Sequence, residues 1–208
     1  MSLRLVLVRH AETDWNRERR YQGWRDTPLS ETGRVQAEAA GRLLGRQPLA
    51  AVWSSPLQRA RDTAAAIAAP LRLLVREEAA FKEMRFGEWE GLTRDEASAQ
   101  FPSLYRAWAE TPHLVTLPGA ETLAEVRRRV LDGLEDLREV HDGQTVCLVA
   151  HGISIRVLIL EALGLGLDRL WSLQISSTGI SELEFRDDWA AVHRMNTLIH
   201  LERLPAPG

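Results

Sequence analysis

The 208-residue sequence contains a single cysteine, Cys147, and a single lysine, Lys82. One cysteine excludes a disulfide within the chain and a thiolate zinc site. Its apolar setting, Val146-Cys-Leu-Val149, predicts a core residue, and a reducing, cytoplasmic location is expected. The six histidines lack metal-ligand spacing, so neither a metal nor a cofactor is expected. No apolar run approaches the ~20 residues of a membrane span, and the N-terminus lacks a signal peptide's h-region, so no membrane partner is expected. A net charge of −3 offers no electrostatic reason for a nucleic-acid partner. Internal repeats, low-complexity segments and linkers are also missing. These absences predict one domain over residues 1–208, with the tail Leu204-Pro-Ala-Pro-Gly208 frayed. Monomer and homodimer both stay open.

What is present is a pair of apolar runs that end alike. Leu5-Val-Leu-Val8 breaks into Arg9-His10, and Thr145-Val-Cys-Leu-Val-Ala150 breaks into His151-Gly152. Such runs predict strands covered on both faces of a parallel sheet. Ligands of open α/β sheets bind at the carboxyl ends of strands, where both histidines fall. A polar stretch from Thr13 to Thr32, holding Tyr21 and Trp24, reads as a long functional loop. Ser30 caps a predicted helix to about Arg46, with Val35, Ala39, Leu43 and Leu44 on its buried face. Ala50–Trp53 is a second strand. Ser55 as cap and Pro56 as first helical residue then open a helix over Leu57–Ala69. That puts Arg59 in the first turn, where a cation opposes the helix dipole unless an anion binds nearby.

Leu71–Val75 reads as a third strand. Thr93-Arg-Asp-Glu96 and Thr122-Leu-Ala-Glu125 are capping boxes for a short helix and a long one ending near His141. A helix over Ile153–Leu163 is closed by Gly164, and Ser181–Phe185 and Ala190–Met195 supply two more strands. This order predicts an α/β fold with a mostly parallel central sheet and helices on both faces.

Several motifs occur in one order along nearly the whole chain. They are Val8-Arg-His-Ala-Glu-Thr-Asp-Trp-Asn16, Gln22-Gly23, Asp26-Thr-Pro-Leu-Ser-Glu-Thr-Gly33 and Ser54-Ser-Pro-Leu-Gln-Arg-Ala60. Glu83-Met-Arg-Phe-Gly-Glu-Trp-Glu-Gly91, Pro118-Gly-Ala-Glu-Thr122 and Val149-Ala-His-Gly152 follow. Together they resemble the histidine phosphatase superfamily, which includes the cofactor-dependent phosphoglycerate mutases and many small-molecule phosphatases. The resemblance implies a phosphoglycerate mutase-like fold and His10 as a nucleophile that becomes phosphorylated. Arg9, Arg59 and His151 would surround the phosphoryl group. Asn16 and backbone N–H groups would add donors, with Gln22, Gly23 and Gly152 as further substrate contacts. Glu83 would be the general acid and then the base that activates water.

The chemistry suits these residues. Guanidinium forks stabilise a transferring phosphoryl group, and neighbouring arginines favour the neutral imidazole that a nucleophile needs. The second ring nitrogen of His10 requires an acceptor, which a backbone carbonyl can supply. The aromatic neighbours Phe81, Phe86 and Trp89 are expected to surround Glu83 and disfavour its charge. Trp24 and Trp89 are candidates for the pocket lining.

The departure from the resemblance is Ala11, where that family usually has glycine; its methyl group is expected to crowd the site without abolishing activity. The implied reaction is hydrolysis of phosphomonoesters of small phosphorylated metabolites. The lysine-free, acid-rich segment after Glu83 resembles the phosphatase branch, since its acids would repel a substrate carboxylate. A phosphoglycerate mutase is the alternative, and a non-catalytic module that binds a phosphorylated ligand is a third reading.

Overall fold

The computed structural model describes residues 1–202, so the tail expected to fray at Leu204–Gly208 lies outside the described residues. Six strands form one sheet: β1 (Ser2–Arg9), β2 (Ala51–Ser54), β3 (Val75–Glu77), β4 (Gln144–Ala150), β5 (Ile180–Arg186) and β6 (Ala190–Thr197). Their spatial order is β3-β2-β4-β1-β5-β6. The first four are mutually parallel, and β5 and β6 complete the edge antiparallel. The mostly parallel α/β fold expected from the sequence is the one observed.

Strand alternation sends side chains to two separate layers. Leu3, Leu5 and Leu7 of β1, with Val146 and Leu148 of β4, pack against α6 (Leu123–Val140) and α7 (Gly152–Ala162). Val6 and Val8, with Cys147 and Val149, pack on the opposite face. There they meet Ala40 and Leu44 of α2 (Glu31–Leu44) and Ala60, Ala64 and Ile67 of α3 (Gln58–Ala68). Both central strands are covered on both sides, which is why their sequences are continuous apolar runs. The chain leaves β1 toward α2 and leaves β4 toward α7, so adjacent strands send their connections to opposite faces. A crevice opens between such strands at their carboxyl ends.

Four local expectations are revised. Val35 is 41% exposed; the buried face of α2 is made by the small residues Gly33, Ala37, Ala40 and Gly41 with Leu44. Ser55 does not cap α3. Leu57 occupies the N-cap without a side-chain bond; the Ser55 hydroxyl accepts from Leu57 N–H at 3.3 Å and is hydrogen-bonded to His151 Nε2 at 2.8 Å. The third strand starts at Val75, since Ala69–Leu71 forms a 3₁₀ turn with Pro70 in its first turn, closed by Arg72 at φ +56°. The loop after β1 contains one helical turn, α1 (Asp14–Arg17), closed by a reciprocal Thr13–Asn16 capping box. The boxes at Thr93 and Thr122 cap α4 (Arg94–Gln100) and α6 as expected, and α5 (Pro102–Glu110) follows α4.

Helices α2 and α3 approach so closely that a methyl group on Gly41 would lie 2.2 Å from the Ala66 carbonyl oxygen. That contact is backbone and cannot swing aside. Gly41→Ala is expected to force the two helices apart and cost about 1–3 kcal/mol. Urea unfolding of the variant against the wild type measures this; an unchanged midpoint would show that the helix pair tolerates separation.

Candidate active site

Parallel pairing brings three strand ends to one edge. Arg9 is in register with Ala150, and Ser54 with Val149. The ladder continues one step beyond the strands, with His10 N–H donating to Ala150 O at 2.9 Å and Ser55 N–H to Val149 O at 3.0 Å. His10, His151 and Ser55 are thereby held side by side, although they lie far apart in sequence.

His10 is 3% exposed. Its Nδ1–H donates to the Ala11 carbonyl at 2.8 Å, as expected of a ring needing a backbone acceptor. This leaves Nε2 with its lone pair. Burial, followed by the charges of Arg59 and Arg9, holds the imidazole well below the usual value of 6.5. His151 is also held well below its ordinary value, first by burial and then by Arg59. Its ring packs against His10 with centroids 5.1 Å apart. His151 is fully buried beside His10; Ser55 Oγ holds its Nε2 at 2.8 Å, and its Nδ1 has no protein partner among the described residues.

Arg59 lies in the first turn of α3 and is completely buried. Its Nη1 donates to Arg25 O and its Nη2 to Gly23 O, at 2.9 and 2.8 Å. Gly23 sits at φ +51°, and a side chain there would overlap Glu90, so glycine permits the turn that presents this carbonyl. Arg9 Nη1 donates to Ile175 O at 2.8 Å. Burial lowers the pKa of both guanidinium groups, that of Arg59 to about 10. Six buried side-chain nitrogens have no protein partner among the described residues, and three belong to Arg9 (Nε), Arg59 (Nε) and His151 (Nδ1). Buried donors without partners are uncommon. Their concentration here, with two desolvated cations and no carboxylate paired to either, describes a receptor for an anion.

Glu83 stands at the N-terminus of α7. Its Oε1 accepts from Met84 N–H at 2.9 Å and Ile153 N–H at 3.1 Å. This corrects the expectation of an aromatic box around the carboxyl. Phe81 and Trp89 are fully buried core residues, and only Phe86 reaches the cleft. The Glu83 backbone is clamped as well: its carbonyl accepts from Trp24 Nε1 and from Arg129 Nη2, at 2.8 and 3.0 Å. Arg129 also binds Ala80 O, Lys82 O and the Glu121 carboxylate. Sequence reading missed Arg129, Glu121 and Ser55 because each acts through a backbone or another side chain across the fold.

A cleft of about 850 Å³ opens over these groups, lined by Arg9, His10, Asn16, Gln22, Gly23, Arg59, Glu83 and Gly152. The candidate catalytic and phosphate-binding residues read from the sequence therefore border one cleft, with His151 packed against His10 beside it. Asn16 Oδ1 accepts from Thr13, which leaves its amide N–H groups for the cleft. Gln22 Oε1 accepts from Thr27 Oγ1 at 2.7 Å. The aromatic lining is not Trp24 and Trp89 but Tyr21, Phe86, Tyr105 and Trp108 of α5, and Trp171. Ala11 does not crowd the cleft; its side chain is buried with Leu29 and Ala37, and its N–H donates to Thr63 Oγ1. The acids after Glu83 do not line the cleft, although the charge of Glu90 still reaches Arg59. Glu90 accepts from Trp24 and Phe86 N–H groups, and Glu96 from Thr93 N–H. That segment contributes Arg94 to the cleft, whose only acids are Glu12 and Glu83.

Residues 5–198 match the histidine phosphatase superfamily, branch 1. Among the relatives, phosphoserine phosphatase 1 of Hydrogenobacter thermophilus is 37% identical over 96% of this chain and 94% of its own length. A 2,3-bisphosphoglycerate-dependent phosphoglycerate mutase of Gloeobacter violaceus is 34% identical, over 76% of this chain and 74% of its own. Among solved structures, Bacillus stearothermophilus YhfR superposes with a TM-score of 0.91 at 32% identity, covering 96% of this chain and all of that one. A mycobacterial glucosyl-3-phosphoglycerate phosphatase gives 0.86 at 31%, covering 95% and 100%. With its motifs, its sheet order and its strand-end histidines in agreement, the chain belongs to the histidine phosphatase superfamily.

Proposed function

We propose that the protein, acting as one domain over residues 1–208, is a phosphatase of small phosphorylated metabolites that works through phospho-His10 without a metal. The observation that carries this reading is the neutral, backbone-oriented His10 Nε2 flanked by two desolvated guanidinium groups and facing a cleft shared with Glu83. Arg9 and Arg59 supply the charge that balances a phosphoryl dianion, so the transfer needs little beyond positioning. His10 Nε2 attacks phosphorus as the P–O ester bond breaks, and the Glu83 carboxyl gives its proton to the departing oxygen. The Glu83 carboxylate then takes a proton from water, whose oxygen displaces His10 and releases inorganic phosphate. His151, packed against His10, offers its unpartnered Nδ1 to the phosphoryl group, while Asn16, Gln22, Gly23 and Gly152 complete the substrate contacts.

Relatives named phosphoserine phosphatase and glucosyl-3-phosphoglycerate phosphatase support hydrolysis. So does the open cleft, since water that reaches the phosphoenzyme hydrolyses it before a second acceptor can bind. A non-catalytic phospholigand module has no use for a neutral histidine beside an acid. A reducing, cytoplasmic setting fits the lone, buried Cys147, whose thiol burial pushes up to about 12.

His10→Ala is expected to abolish phosphate release and phosphoenzyme formation while the thermal transition persists. Wild-type hydrolysis is expected to continue in excess chelator. Acid-quench trapping and phosphate release, with and without chelator, read both; near-normal turnover by the variant would remove His10 from the mechanism.

Glu83→Gln retains shape but cannot deliver a proton. Phosphorylation by alkyl phosphates is expected to slow by on the order of 10²–10⁴, and by nitrophenyl phosphate much less, because nitrophenolate leaves unaided. Dephosphorylation slows for both, so phosphohistidine accumulates with the activated ester. Pre-steady-state kinetics separates the steps, and equal slowing of phosphorylation for both esters would reduce Glu83 to a positioning role.

The depressed pKa of His10 fixes two pH trends. The imidazole stays neutral as pH falls through 6.5, so the acid limb of single-turnover phosphorylation should lie below that value. The unfolded chain, in contrast, binds protons at His10 and His151 near 6.5 while the folded chain does not. Stability contributed by the neutral, buried His10 and His151 is therefore present above this pH and is lost as pH falls toward their folded values. Urea midpoints that held constant from pH 7 to 5 would contradict it.

A further inference from the structure

Beyond the phosphoryl receptor, one cation of the cleft has no anionic partner and is largely desolvated. Arg156 lies one helical turn after Gly152 on α7 and folds back toward the helix start. Its Nη1 donates to Gly152 O and its Nε to Leu173 O, both at 3.0 Å. The guanidinium lies over the Trp171 ring, 5.3 Å from its centroid, and Trp171 is fixed by an Nε1–H bond to Trp108 O at 2.9 Å. These contacts use Nε, one N–H of Nη1 and one face of the plane. Nη2 makes no hydrogen bond among the described residues, and the side chain borders the cleft. A strut between Gly152 and Leu173 would need only Nε and Nη1, which leaves the Nη1/Nη2 end of the fork for a ligand.

The charge balance makes the open edge informative. Arg9 and Arg59 match a phosphoryl dianion, whereas Arg17 and Arg20 at the mouth are already paired with Asp14 and Glu18. Arg156, Arg94 and Arg19 remain, and none forms an ion pair among the described residues; Arg94 and Arg19 are exposed, whereas Arg156 is partly buried. Arg156 has its pKa lowered to about 10, chiefly by burial, and the charges it feels are those of Arg9, Glu83 and Arg94. A partly buried guanidinium with no carboxylate paired to it and an unbonded Nη2 at the cleft is placed to take its counter-charge from a ligand. Position sets which ligand. A methyl group at Gly152 would lie 3.2 Å from Arg156 Nη1 and 3.5 Å from Glu83 Oε2, so the guanidinium and the proposed acid flank the same point. The oxygen that leaves phosphorus beside Glu83 therefore carries its carbon skeleton past Arg156.

We propose that Arg156 is a specificity-determining residue that binds a second oxyanion of the substrate close to the ester oxygen, so that the preferred substrates are phosphomonoesters bearing a further carboxylate or phosphate. The inference rests on the Glu83 and His10 reading above. A forked guanidinium held flat on an indole suits either oxyanion, because two parallel N–H groups match two oxygens.

The test compares kcat/KM for two matched pairs in the intact protein. Phosphoserine against phosphoethanolamine isolates a carboxylate, and propane-1,3-diol bisphosphate against propyl phosphate isolates a second phosphate. The more anionic member of one pair is expected to be preferred on the order of 10–100-fold, the size of a charge-assisted hydrogen bond. Whichever pair shows the preference names the oxyanion. In Arg156→Gln that ratio should collapse toward unity, and Arg156→Lys should restore part of it by charge alone. The ratio is read within each variant, so a general loss of activity does not mimic the effect. Should the Gln variant fail to fold, the wild-type pairs and Arg156→Lys still decide. No preference in either wild-type pair, or a ratio that survives in Arg156→Gln, would overturn the proposal. Absence of phosphohistidine with all four substrates would instead overturn the catalytic reading, and this inference with it.

Discussion

The parallel pairing of β1 with β4 is the constraint on which the site depends. It sets Arg9 opposite Ala150 and carries the ladder on to His10 N–H. The two histidines then stand ring against ring at one sheet edge. A slip of one residue would turn Arg9 and His10 to opposite faces and expose the alternating apolar rows. The burial of Leu3, Leu5 and Leu7 on one face and Val6 and Val8 on the other therefore holds the chemical groups in register. Core packing and site geometry are one problem here.

Around that edge the fold accumulates groups that are costly in isolation. Arg59 is fully buried in the first turn of a helix, where the dipole opposes it. Two carbonyls, Gly23 O and Arg25 O, hold it in place without neutralising it. A carboxylate in their position would quench the charge that an incoming phosphoryl group requires. Burial first, and then the same cations, keep His10 and His151 neutral, so in the proposed reaction one arrangement would both attract the anion and ready the nucleophile.

The loop acids hold backbone rather than line the cleft. Glu90 accepts from Trp24 and Phe86 N–H, Glu121 from Arg85 N–H, and Glu96 caps its helix at Thr93 N–H. These bonds fix Trp24 and the segment after Glu83 in position. The cleft is left with a cationic and aromatic lining, in which Arg156 and Trp171 give the wall a directional donor.

The sequence by itself determined the two buried strands, their histidine ends, the capping boxes and, through the order of its motifs, the family. Each of these is local, written in apolar runs, cap residues and spacing within a dozen residues. Only the tertiary structure decided what Ser55, Arg129 and Arg156 contact, that His151 packs against His10 with its Nε2 on Ser55, and that Glu90 accepts from the backbone. It also decided that Trp108 and Trp171, not Trp24 and Trp89, line the cleft. Those outcomes depend on which backbone groups are left without partners once the sheet has closed, and on which side of a loop a charge then falls. Neither is encoded in the spacing of neighbouring residues, because both are set by contacts between segments far apart in the chain.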